Sequence, residues 1–157
     1  MLSLKQSLIE NHSIKLGESA ETWQEAIAVA AEPLIASGAV ERDYPTAIIA
    51  STEKFGPYYI LMPGMAMPHA RPEDGVKRDA FSLVVLKNPV VFSDGKEVSV
   101  LITLAATSSN IHTGIAIPQI VAVFELPNII QRLEQASEVN EILSIIDEAD
   151  MSAYLNE

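Results

Sequence analysis

The chain has 157 residues, 48% of them hydrophobic, with 10 lysines and arginines against 21 aspartates and glutamates for a formal net charge of -11. That balance argues against nucleic acid or an anionic membrane surface as the main partner and suits a basic one. The absence of cysteine excludes disulfides, thiol catalysis and thiolate zinc sites, and accords with a reducing compartment. The length fits one domain spanning 1–157 with a single sizeable core. No signal-type apolar core opens MLSLKQSLIENHSIKL, and no run approaches the roughly 18 apolar residues of a membrane span, so a cytoplasmic protein without membrane insertion is expected.

A short helix is expected near 3–10, with His12 beyond it on the surface. Thr22 and Glu25 have capping-box spacing, and Trp23, Ile27, Ala30 and Leu34 form an apolar stripe, which predicts a helix over 23–36 that stops at Gly38. Asp43 and Pro45 mark a second helix start, and Gly56-Pro57 ends it after Lys54. The period then changes. YYILM (58–62) and Met65–Met67 are short apolar runs, FSLVVLK (81–87) reads as a strand, Asp94-Gly95 as a turn, and VSVLITLAA (98–106) as a central strand. Helical spacing returns with Ile120, Val123 and Phe124, then Ile129, Ile130 and Leu133, then Ile142, Leu143 and Ile146. Helices on either side of a nearly continuous apolar strand set predict an α/β layered domain with its sheet covered on both faces.

The segment PGMAMPHARPEDGV (63–76) places His69 where an apolar run ends and a loop begins, a common address for chemistry in α/β sheets. Pro68 and Pro72 restrict the backbone on either side of it. The acidic excess stops here: between Glu53 and Asp79, Lys54, Arg71, Lys77 and Arg78 balance Glu53, Glu73, Asp74 and Asp79. His69 reads either as a structural histidine satisfying a backbone carbonyl or as a nucleophile whose unprotonated ring nitrogen attacks phosphorus. A metal site would need more ligands at workable spacing than His12, His69 and His112 provide, and a serine hydrolase would need a nucleophile elbow that the chain lacks. Arg71 offers a cation for phosphoryl oxygens, or is an ordinary surface arginine. Ser108, Ser109 and Asn110 follow the central strand as a loop and helix N-cap, which puts His112 near a first turn where backbone donors favour an anion. Pro118 either kinks this helix or marks its start.

GPYYILMPGMAMPHARPEDGV (56–76) together with NIHTGIAIPQIVAVFE (110–125) resembles the IIA components of the bacterial phosphoenolpyruvate-dependent sugar phosphotransferase system (PTS), in the mannitol-fructose class and most closely the ascorbate-specific type. The likeness extends from LKQSLIEN through TWQEAI to EVNEILSIID. The resemblance implies a mixed, mainly parallel sheet of about five strands flanked by helices on both faces. It implies phosphorylation of His69 by the phosphocarrier HPr, assistance from His112, and transfer to an EIIB partner that carries the group on cysteine and serves a membrane EIIC permease. With no cysteine in this chain, EIIB is expected to be a separate polypeptide. No metal or other cofactor is implied. An EIIA for mannitol, fructose or galactitol, or a regulatory module of the nitrogen-related type, are the alternatives within the resemblance.

Overall fold

The structure is a computed structural model and describes residues 2–151. Its first element, α1 (Leu4–Glu10), is capped by the Ser3 hydroxyl, which accepts from the Gln6 backbone N–H. Next comes a strand absent from the expectations above, β1 (Ile14–Glu18). Its side chains alternate between covered and exposed, with Ile14 buried and Lys15 outward, but five residues bearing two charges make no apolar run.

Helix α2 (Trp23–Ser37) begins at Thr22, whose hydroxyl accepts from Glu25 N–H, and ends at Gly38 in the left-handed conformation. Only half of the capping box forms, because the Glu25 carboxylate accepts from Glu21 N–H instead of Thr22 N–H. Helix α3 (Tyr44–Phe55) has Pro45 in its first turn, where a missing N–H costs nothing, and gives way at Gly56. Tyr44, Ile48 and Thr52 are its buried stripe.

The sheet has four strands: β1, β2 (Gly64–Ala66), β3 (Ala80–Val91) and β4 (Glu97–Ala105), in the spatial order β1-β3-β4-β2. β3 and β4 form an antiparallel hairpin around the Asp94-Gly95 turn, and β1 and β2 add parallel strands on either side. The expectation of about five strands therefore becomes four. YYILM makes no strand because Ile60 N–H turns back onto the Pro57 carbonyl and Pro63 follows. Two of the three strand pairings are parallel, as expected, and Ala80–Leu86 and Val98–Ala105 are buried at every position. A strand buried at consecutive positions needs cover on both faces. Part of that cover is α2, where the Ala30 carbonyl accepts from the Ser82 hydroxyl, and α6 (Ile129–Gln135) also packs on β3 and β4.

Beyond β4 the chain forms one helical run with a widened middle: α4 (Ser109–Ile111), a π turn (His112–Ala116) and α5 (Ile117–Phe124). Pro118 explains the widening. It has no N–H for the Gly114 carbonyl and its ring crowds that turn, so Ile117 N–H reaches back to the His112 carbonyl. Buried Gln119 anchors α5, accepting from Leu4 N–H and donating to the Leu2 and Ile115 carbonyls. Helices α6 and α7 (Val139–Asp147) complete the layers. No single helix among the described residues is long and apolar enough to cross a membrane.

Gly64 opens β2 with φ of +95°, and a Cβ there would lie 2.9 Å from Ile130 Cγ2; Gly95 has φ of +87° with open space around it. Gly95→Ala is expected to cost about 1 kcal/mol from backbone strain alone, and Gly64→Ala about 2–3 kcal/mol because the clash adds to it. Urea denaturation of both variants checks the difference.

Candidate active site

His69 lies just past β2, and three local features set its ring. Met67 N–H donates to the Tyr59 carbonyl, Pro68 offers its carbonyl to Leu104 N–H at the end of β4, and His69 Nδ1 lies 3.0 Å from the Met67 carbonyl. A carbonyl oxygen only accepts, so Nδ1 carries the hydrogen and Nε2 keeps its lone pair. Burial lowers the His69 pKa below its ordinary value, partly opposed by the Met67 bond. The ring is therefore neutral at pH 7 in its Nε2-basic tautomer.

The helical run after β4 brings His112 to it. Ser108 caps that run, its hydroxyl accepting from Ile111 N–H, and the π turn starts at His112 itself. The two imidazole centroids are 4.4 Å apart. Burial, and then the charge of a protonated His69 beside it, lower the His112 pKa to about 4. Two rings 43 positions apart in sequence are thus held together as a neutral pair.

A cleft of about 710 Å3 opens over them. One wall is α3, through Ala47, Ala50, Ser51 and Lys54; Phe55, Tyr58, Arg71 and Ser109 are on the rim. Tyr58 stands edge-on to His69 at 5.6 Å and is half-exposed, and Tyr59 meets it edge-on at 6.3 Å from the core side. Arg71 reaches the cleft with its guanidinium already paired: Nε donates to Asp74 Oδ2 at 3.2 Å and Nη2 to Asp74 Oδ1 at 3.3 Å. That pairing holds the Asp74 carboxyl below the usual carboxylate range. Lys54 lies over the Phe55 ring at 5.2 Å and makes no ion pair among the described residues.

Of the residues singled out from sequence, His69, His112 and Arg71 line one cleft, and His12 is exposed and remote from it. Sequence reading missed Tyr58 and Tyr59, which fall in the short apolar run 58–62, and Tyr44, which lies between the helix-start residues Asp43 and Pro45. The unusual pair of phenols after Gly56-Pro57 was the available signal for the first two. Among the described residues no group of three or more His, Cys, Asp or Glu side chains is disposed to hold a metal ion.

A fold with a basic imidazole nitrogen, a second imidazole beside it and an open cleft above fits a protein that carries a group from one macromolecule to another. Residues 7–149 match the family described as phosphoenolpyruvate-dependent sugar phosphotransferase system, EIIA 2, and the chain belongs to that family. It is 45% identical over 154 residues to the ascorbate-specific PTS system EIIA component of Escherichia coli K12, covering 97% of this chain and 100% of that one. A Streptococcus mutans crystal structure assigned as a PTS IIA (PtxA) superposes with a TM-score of 0.95 at 59% identity over 99% of this chain and 100% of that one. The IIA protein in an E. coli complex of mannitol enzyme IIA with phosphorylated enzyme IIB superposes with a TM-score of 0.74 at 25% identity, covering 94% and 98%. The protein is thus a phosphotransferase component of the PTS.

Both imidazoles have folded pKa values below the 6.5 of the free side chain. The unfolded chain therefore binds more protons as pH falls through 6.5, and this part of the stability declines until His112 also protonates near pH 4. Imidazole NMR titration should give midpoints below 6.5 for His69 and near 4 for His112, with His69 protonated on Nδ1 throughout the neutral range. A normal midpoint for either ring would contradict the buried-pair geometry.

Proposed function

We propose that this protein accepts a phosphoryl group from phospho-HPr on His69 Nε2 and passes it to a separate EIIB in the cytoplasm, serving L-ascorbate uptake through a membrane EIIC. The observation that carries the site assignment is the Nδ1 bond to the Met67 carbonyl, which leaves Nε2 as the basic nitrogen at the cleft. In the first transfer the Nε2 lone pair attacks phosphorus in line, the new N–P bond forms as the bond to HPr breaks, and HPr keeps that electron pair. In the second, the EIIB cysteine thiolate attacks, the S–P bond forms, and Nε2 recovers its lone pair. Nδ1 keeps its proton throughout.

His112, neutral at pH 7, donates a ring N–H to an equatorial phosphoryl oxygen without becoming a competing charge. Arg71 contributes to the same oxygens by giving up part of its pairing with Asp74, and Lys54 brings a second cation to the cleft. Partner choice is supported by the enzyme IIB found with the mannitol relative, and the sugar by the ascorbate-specific relatives. The net charge of -11 favours fast encounter with a donor that is basic around its own active site.

Incubation with enzyme I, HPr and phosphoenolpyruvate, followed by mass spectrometry, tests this reading. One acid-labile phosphoryl group is expected on the wild type, none on His69→Ala, and slowed uptake on His112→Ala. Arg71→Ala is expected to slow transfer roughly tenfold, the scale of one lost charge-assisted contact in the transition state. Unchanged labelling of His69→Ala would refute the assignment, and an unchanged rate for Arg71→Ala would remove Arg71 from it.

A further inference from the structure

Tyr44 is fully buried in the first turn of α3, yet its hydroxyl meets two backbone groups of other elements. It donates to the Leu104 carbonyl at 2.6 Å and accepts from Ala70 N–H at 3.0 Å; the Ala70 carbonyl is farther away at 3.4 Å. A phenol has one hydrogen, so the shorter contact takes it and the oxygen lone pair is left for Ala70. Burial pushes the phenol pKa upward, so the hydroxyl keeps its proton and both roles at neutral pH.

These bonds fall on either side of His69. The peptide plane before His69 is held through the Pro68 carbonyl by Leu104 N–H, and the plane after it through Ala70 N–H by Tyr44. The dihedrals of His69 are the rotations between those two planes, so fixing both fixes the Cα–Cβ direction. The Met67 carbonyl then fixes the ring. Leu104 takes part in both ties, donating to Pro68 and accepting from Tyr44. Tyr44 supplies the only hydrogen bond from another element to the second plane among the described residues.

We propose that Tyr44 is a positioning residue for phosphoryl transfer, its hydroxyl clamping Ala70 to the end of β4 so that His69 Nε2 points into the cleft. This rests on His69 being the acceptor. Phenylalanine at 44 would keep the ring packing and leave the Leu104 carbonyl and the Ala70 N–H without their partner, so the plane after His69 could rotate. In-line attack tolerates little misplacement, and an error of about 1 Å can cost a hundredfold in rate.

The experiment compares single-turnover transfer from phospho-HPr to wild type, Tyr44→Phe and Ser82→Ala. Ser82→Ala removes another buried hydroxyl bond to a backbone carbonyl, from the middle of the sheet. Tyr44→Phe should transfer on the order of tenfold to a hundredfold more slowly at saturating donor, with the half-saturating donor concentration unchanged. Its His69 ring nitrogen signals should show a mixture of tautomers. Ser82→Ala should lose thermal stability and keep both the rate and the His69 spectrum. A folded Tyr44→Phe with wild-type rate and spectrum overturns the proposal. A wild type that accepts no phosphoryl group refutes the His69 reading instead. If Tyr44→Phe does not fold, the unsubstituted protein decides: a slowly exchanging Tyr44 hydroxyl proton with a through-space contact to the Ala70 amide supports the clamp, and rapid exchange overturns it.

Discussion

The site depends on how the backbone around His69 finds hydrogen-bond partners where the chain leaves the sheet. Pro68 has no N–H to offer and β2 is only three residues long, so ladder pairing cannot hold the loop. The Pro68 carbonyl is taken by Leu104 N–H, the Met67 N–H by the Tyr59 carbonyl, and the Ala70 N–H by the Tyr44 hydroxyl. β4 is buried along Val98–Ala105, and this makes Leu104 a rigid reference. The direction of one imidazole is thereby set by the most buried hairpin of the fold.

The electrostatics follow from the same placement. A nucleophilic imidazole must be unprotonated, and a partly buried loop end achieves this by making the charged form costly. The second imidazole at 4.4 Å increases that cost for whichever ring would protonate second. A phosphoryl group on His69, as proposed, would bring negative charge beside two neutral rings and give the cations of the cleft, Lys54 and Arg71, a partner. Before that, Arg71 is occupied by Asp74, which keeps an otherwise unbalanced cation satisfied. With Arg71 paired to Asp74 and both imidazoles neutral, the empty cleft keeps the positive charge of Lys54, which is complementary to a phosphoryl group.

Much of this was legible in the sequence, because the features that carry it are local. The cap at Thr22, the stop at Gly38, the β3–β4 hairpin around Asp94-Gly95, and the two histidines each after an apolar run are readable from neighbouring residues. What was not legible depends on distant partners. β1 is defined by pairing with β3, since IKLGE has too little apolar content to announce itself. YYILM has the composition of a strand but is followed by Pro63 and turns back on itself, so its tyrosines serve as the wall of His69. Tyr44 looks like an ordinary helix-start residue, and its role appears only when Leu104, 60 positions away, and Ala70, 26 positions away, are brought to its hydroxyl. Pro118 was readable as a kink or a helix start, and the widened turn it causes became visible only through the Ile117 to His112 bond.

The central claim is that the geometry dedicates one nitrogen of one histidine to the phosphoryl group. Correlation of phosphorus with imidazole nitrogen by NMR, on nitrogen-15-labelled protein phosphorylated by enzyme I and HPr, tests it most directly. The account predicts a single phosphorus signal coupled to Nε2 of His69, with Nδ1 still protonated and bonded to Met67. Phosphorus on Nδ1, or on His112, would contradict it.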